Sequence, residues 1–170
     1  MTKPPRKSDP NYPHTAQDID TAFGALVYEL VSFLRDGKDL LEGKTGDWQT
    51  EVLEAYLIHA RVLITFLGAN GRIESDDVTP GNFGVTWTWP STPEAAEIEK
   101  QSKLINKHLA HLTWERTMVS GGAQWNPLTL INLLIPIFNQ FVAALQISDP
   151  KHAGALEANI KAILDPLNPR

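Results

Sequence analysis

The stretch from Thr117 to Ser148 carries no charged side chain, although 21% of the 170 residues in this chain are charged. So long an uncharged run has to be tested first as a membrane span. If the part from Pro127 is helical, its polar side chains fall within about a third of the helix circumference. No Lys or Arg occurs among the ten residues before Pro127, so that end lacks the basic residues that would anchor a membrane span. We therefore predict no membrane span.

The same run is better explained as the central helix of a bundle, beginning at Pro127 and ending near Ile147. Pro136 should kink this helix, because proline removes one backbone donor. Interface cores are depleted of charge, so we expect the uncharged polar seam to face a second subunit. The seam consists of Thr129, Asn132, Pro136, Asn139, Gln140 and Gln146.

Apolar residues at helical spacing predict further amphipathic helices on either side of this one. Thr15 and Asp18 form a capping pair before a first helix of about 20 residues, which we expect to stop at Asp36-Gly37. Asp47 is placed to cap a second helix that ends near Asn70-Gly71, antiparallel to the first. The later start signals are Ser91-Thr92-Pro93-Glu94, Asn126-Pro127 and Asp149-Pro150.

Between Gly71 and Pro93 the helical periodicity disappears, and Val85 to Trp89 could form a short extended segment. We expect Trp87 and Trp89 to fold this excursion onto the bundle rather than to stack on a ligand. The predicted fold is all-α, an up-and-down bundle of four to five helices with a long irregular excursion between the second and third. Residues 1–14 are predicted to be a disordered tail, and residues 15–165 a single helical-bundle domain.

The composition excludes several kinds of site. With 15 Lys and Arg against 20 Asp and Glu, the chain has a net charge of −5, which argues against strong nonspecific binding of nucleic acid. The absence of cysteine removes disulfides, thiol nucleophiles and thiolate zinc sites, and it fits a cytoplasmic protein. No phosphate-binding glycine loop, nucleophile elbow or dinucleotide fingerprint occurs, so we expect no cofactor.

The reactive side chains concentrate between Leu104 and Arg116. At about 100° per residue, His108, His111 and Glu115 share one arc of a helix, with Lys107 beside them. An adjoining apolar stripe would face the core; it consists of Ile98, Ile105, Leu109 and Leu112.

The spelling of this helix, with Asn106 followed by His111, resembles the signature helix of the HEPN superfamily. That resemblance implies an all-helical fold, a metal-independent ribonuclease and a site formed across a homodimer. The family's motif arginine falls at Ile105, so the site would be degenerate. A weaker similarity links two further stretches to family members associated with bacterial abortive infection: His59-Ala60-Arg61 and Asp76-Asp77-Val78. This similarity implies a defence or toxin-antitoxin setting and a cognate partner protein.

Metal-free cleavage of RNA needs a base, an acid and a cation at the phosphate. His108 and His111 could transfer the protons, and Arg61 or Arg116 could replace the missing arginine. We predict a weak or inactive RNA-binding or nucleotide-binding module rather than a strong ribonuclease. Two alternatives stay open: a dimerising interaction bundle without chemistry, or a metal site. The metal ligands would be His59, His108, His111 and Glu115.

Overall fold

The computed structural model describes residues 14–69, 77–110 and 125–164, and within these it leaves out the side chains of His108 and Ala110. The described residues form five α-helices and no strand, which confirms the all-α prediction. The helices are α1 (Ala16–Leu41), α2 (Gln49–Phe66), α3 (Pro93–Ala110), α4 (Pro127–Ser148) and α5 (Pro150–Leu164). All but one residue of the predicted N-terminal tail lies outside the described residues.

Four of the five helices begin where the sequence signals placed their starts, and α2 is the exception. The Thr15 hydroxyl accepts from the backbone N–H of Asp18, and the Asp18 carboxylate accepts from the backbone N–H of Thr15, a reciprocal cap for α1. The Asn126 side chain accepts from the backbone N–H of Leu128 at 3.0 Å and caps α4. Asp47 was predicted wrongly as the cap of α2. The chain first makes a short 3-10 turn, Gly46–Trp48, so α2 begins without a side-chain cap.

The first helix is longer than predicted, because α1 continues through Asp36 and Gly37 to Leu41. Gly37 is a packing residue and not a terminator. A Cβ atom at this position would lie 2.9 Å from both Ile131 Cδ1 and Tyr56 Cε2, so the bare backbone lets α2 and α4 approach α1 closely.

Contacts in the core fix the directions of the helices. Tyr56 stacks on Phe33 of α1 and donates its hydroxyl to the backbone carbonyl of Pro127 at 2.8 Å. Ten residues further along α2, the ring of Phe66 packs edge-on against Phe141. Thus α2 and α4 run in the same direction. The helix pairs in contact are α1 with α2, α4 and α5, α3 with α2 and α4, and α4 with α5.

From Asp77 onward, where the structure describes it, the excursion between α2 and α3 packs onto the bundle through its tryptophans, as predicted. A 3-10 turn, Pro80–Phe83, precedes an irregular stretch, and Phe83 in the turn and Val85 after it are both buried. The Trp87 indole donates to the backbone carbonyl of Leu67 at 2.8 Å and meets Phe141 edge-on. Val85 to Trp89 pairs with no strand among the described residues.

Candidate functional site

Three consecutive residues of α3, at the start of the motif, differ in their exposure to solvent. Ile105 is fully buried in the core, Asn106 is half-buried and Lys107 is exposed. His111 and Arg116 lie outside the described residues, as does the side chain of His108. Of the five predicted site residues, therefore, only Asn106 and Arg61 have described side chains, and they belong to different helices.

The burial of Ile105 explains why this chain has no arginine there. Ile98, Ser102 and Ile105 are all buried along one face of α3, and Leu109 packs against the same core. These residues follow one another at intervals of four, three and four, so the face is a continuous core stripe. An arginine at position 105 would bring an unpaired charge into that core.

A second candidate site is a cleft of about 480 Å³ between α1 and α2. Arg61 lines it, together with Asp77 and Val78 from the excursion. The two stretches with the weaker similarity, which 14 residues separate in the sequence, thus both contribute to one cleft. The other lining residues are Ala22, Ala25, Leu26, Glu29, Ile58, Val62, Thr65 and Phe66.

A mostly buried histidine, His59, contacts Glu29, one of the carboxylates that line the cleft. His59 Nδ1 lies 2.6 Å from Glu29 Oε2, and His59 Nε2 lies 3.9 Å from Asp36 Oδ2. Glu29 and Asp36 are seven residues apart, so they share one face of α1. Burial raises the pKa of Asp36, and the nearby His59 partly offsets this. Sequence reasoning named His59 as a metal ligand and as part of the His59-Ala60-Arg61 similarity, and it missed both carboxylates.

His152 also has a partner at each ring nitrogen. It is 8% exposed, it stacks on Phe23, and its Nδ1 and Nε2 lie 2.5 Å from Asp149 Oδ2 and 3.2 Å from Asp20 Oδ1. This histidine joins the start of α5 to α1.

Neither arrangement forms a metal centre. Within the described ranges, no group of three or more His, Cys, Asp or Glu side chains is placed to hold a metal ion. Three of the four predicted ligands, His108, His111 and Glu115, have side chains outside those ranges.

The third candidate functional site is the exposed face of α4. Every exposed residue of this helix is uncharged. We define the α4 stripe as the exposed residues that follow one another at intervals of three and four: Thr129, Asn132, Pro136, Asn139, Ala143 and Gln146. The stripe contains five of the six predicted seam residues, and the sixth, Gln140, is exposed beside it. Leu128 and Ile147, which are 46% and 88% exposed, lie near its two ends.

Among the described residues, α4 is also the one helix long and apolar enough to cross a membrane by length and composition. Half of its most apolar window is buried inside the protein, as in the core helix of a soluble bundle. Length and composition alone are weak evidence for a membrane span, so the absence of a span stays a prediction.

Comparison with known proteins finds no matching family model, no similar curated protein and no similar solved structure.

Proposed function

We propose that this protein is a homodimeric interaction bundle whose subunits meet through the α4 stripe. The observation that carries the proposal is that the exposed face of a 22-residue helix has no charge. The exposed faces of α1, α2, α3 and α5 all carry charged residues, such as Arg35, Glu51, Lys103 and Glu157. Charge depletion on one face alone is typical of the centre of a protein interface.

The spacing of the stripe supports a helix-on-helix contact. Residues at alternating intervals of three and four form a narrow seam along a helix, the geometry by which two helices pack lengthwise. Leu128 and Ile147 supply apolar contacts near its ends. A two-fold axis near the middle of α4 would set each stripe against its own copy.

Light scattering tests this assembly. We expect the native protein to have twice the 18.9 kDa mass of one chain. Asn139→Lys should shift the equilibrium toward monomer, because the interface would bury an unpaired charge. Asn139→Gln keeps the site uncharged, and Ala158→Lys adds a charge on the exposed side of α5, so both should stay dimeric. A monomer mass for the native chain at micromolar concentration would disprove the proposal.

A second function, HEPN-like RNA binding in a bacterial defence or toxin-antitoxin setting, is favoured by the position of α3. This helix contacts α4, so a dimer formed through the α4 stripe would bring the two signature helices toward one interface. Lys107 is exposed beside half-buried Asn106, which gives each helix a cation next to an amide. With Ile105 in the core, the motif has no arginine to stabilise the phosphate in a transition state.

We therefore expect RNA binding without strong cleavage. Fluorescence anisotropy with single-stranded and hairpin RNA would measure binding, and gel assays without divalent metal would measure cleavage. His111→Ala should weaken binding severalfold, whereas Lys151→Ala, on α5, should leave it unchanged. Strong cleavage by the native chain that His111→Ala abolishes would show that a cation from elsewhere replaces the missing arginine. The absence of any binding would leave the interaction bundle as the sole function.

A further inference from the structure

The cleft between α1 and α2 is formed by two matched helical faces. On α1 the lining residues are Ala22, Ala25, Leu26 and Glu29. On α2 they are Ile58, Arg61, Val62, Thr65 and Phe66. The helices run antiparallel, since His59 meets Glu29 while Phe66 and Ala22 line the same cleft. The two small alanines leave the gap, and Asp77 and Val78 border it. Its volume falls within the range of small-molecule sites, about 300–1,000 Å³.

The cleft is apolar inside and carries opposite charges on its two helices. Leu26, Val62 and Phe66 give it an aliphatic and aromatic lining. Glu29 contributes a carboxylate from α1, Arg61 contributes a guanidinium from α2, and Asp77 adds a second carboxylate at the border of the cleft. Within the described residues, Glu29 pairs with His59 rather than with Arg61.

His59 holds the Glu29 carboxylate in place. The ring is only 14% exposed, it hydrogen-bonds Glu29 at 2.6 Å, and Tyr28 covers it edge-on. A carboxylate fixed in this way loses little conformational entropy when it binds a cation, so it is preorganised for a ligand. Arg61 is exposed and able to form a bidentate contact with a ligand carboxylate.

We propose that this cleft binds a free α-amino acid with an apolar side chain. The ligand ammonium would pair with Glu29, its carboxylate with Arg61, and its side chain would enter the lining of Leu26, Val62 and Phe66. An α-amino acid carries its two charges on neighbouring carbons, which matches opposite charges presented by adjacent helices. A ligand with one sign of charge would make a charge-assisted contact with either Glu29 or Arg61 but not with both.

Calorimetric titration of the native protein with L-leucine and L-phenylalanine tests the proposal. We expect saturable binding at one site per chain. Leucinamide lacks the carboxylate and N-acetylleucine lacks the ammonium, and each should bind at least about tenfold more weakly than leucine, because each loses one charge-assisted hydrogen bond to the protein. These comparisons use the unaltered protein, so they do not depend on whether a variant folds.

Variants locate the site. Glu29→Gln and Arg61→Gln should each weaken leucine binding about tenfold, and Ala25→Trp should abolish it by filling the cleft. Glu51→Gln and Arg35→Gln alter exposed charges outside the cleft and should bind as the native chain does. Circular dichroism melts would confirm that each variant folds. Failure to bind any apolar amino acid at millimolar concentration would overturn the proposal, as would equal binding of leucine and its two neutralised analogues.

Discussion

At the scale of single residues, two glycines of α1 have opposite surroundings. Gly24 has no atom within 4 Å of the position its Cβ would take, whereas a Cβ on Gly37 would collide with Ile131 and Tyr56. The Ile131 methyl group can move, but the Tyr56 ring is held by Phe33 and by its hydrogen bond to Pro127.

We therefore expect opposite effects of the same substitution in one helix. Gly24→Ala should stabilise the protein by about 0.5–1 kcal/mol, because alanine favours the helix. Gly37→Ala should destabilise the protein by a net amount of about 1 kcal/mol, because the cost of crowding Tyr56 and Ile131 exceeds the gain from alanine's helix propensity. Urea unfolding measures both free energies. Equal stabilisation by the two variants would show that α1 is not packed closely at Gly37.

Position 105 gives a second test at this scale. The resemblance suggests Ile105→Arg as a way to restore a ribonuclease, but the complete burial of Ile105 makes that variant a core disruption. We expect it to lose about 3 kcal/mol or more of unfolding free energy. Its neighbour Leu104 is 43% exposed, so Leu104→Arg should change stability by about 0.5 kcal/mol or less. Tolerance of arginine at both positions would mean that α3 is rotated from the orientation described.

The sequence predicted the buried face of α3 because Ile98 and Ile105 repeat at helical spacing. It did not predict the contacts of His59, since those depend on how α1 and α2 align. The available signal was the pair of carboxylates on α1, Glu29 and Asp36, two turns apart on one face. Such a pair becomes informative only once a histidine on another helix is known to lie opposite.

At the scale of secondary structure elements, His152 and Asp149 join the start of α5 to α1. The Asp149 carboxylate accepts from both the backbone N–H and the ring of His152. Burial opposes ionisation of Asp149, but these hydrogen bonds outweigh it and lower its pKa below the ordinary 3.8. The ionised carboxylate therefore stabilises the folded state above that pH, and this contribution is lost as the pH falls through the lowered pKa.

Asp149→Asn keeps an oxygen for the helix cap and removes only the charge. We expect it to lose about 1 kcal/mol at pH 7, and the difference from the native chain should shrink as the pH falls below about 3.8. Glu157→Gln, on the exposed side of α5, serves as the control and should change stability little. A pH-independent difference for Asp149→Asn would show that the charge contributes nothing.

Helix starts were more predictable than helix ends. Thr15, Thr92, Asn126 and Asp149 each accept a backbone N–H within the first turn of a helix, and such local hydrogen bonds are encoded in a few adjacent residues. The end of α1 was not predictable in this way, because whether Gly37 stops a helix or packs inside it depends on α2 and α4.

At the scale of the whole molecule, the sequence predicted the order of the helices and the pairing of the first helix with the second. It did not predict the cleft, since the cleft arises from two alanines and a returning loop. The account's central claim is that the α4 stripe is the homodimer interface. Because the chain contains no cysteine, a single introduced cysteine reports on that interface without background.

Disulfide cross-linking of Asn139→Cys is the most direct measurement. Asn139 lies near the middle of α4, where a two-fold axis would bring it close to its own copy. Under mild oxidation at low protein concentration, we expect most of the Asn139→Cys protein to migrate as a covalent dimer on a non-reducing gel. Ala158→Cys, on α5, should remain monomeric on the same gel. Equal cross-linking of the two variants, or none by Asn139→Cys, would contradict an interface formed by the α4 stripe.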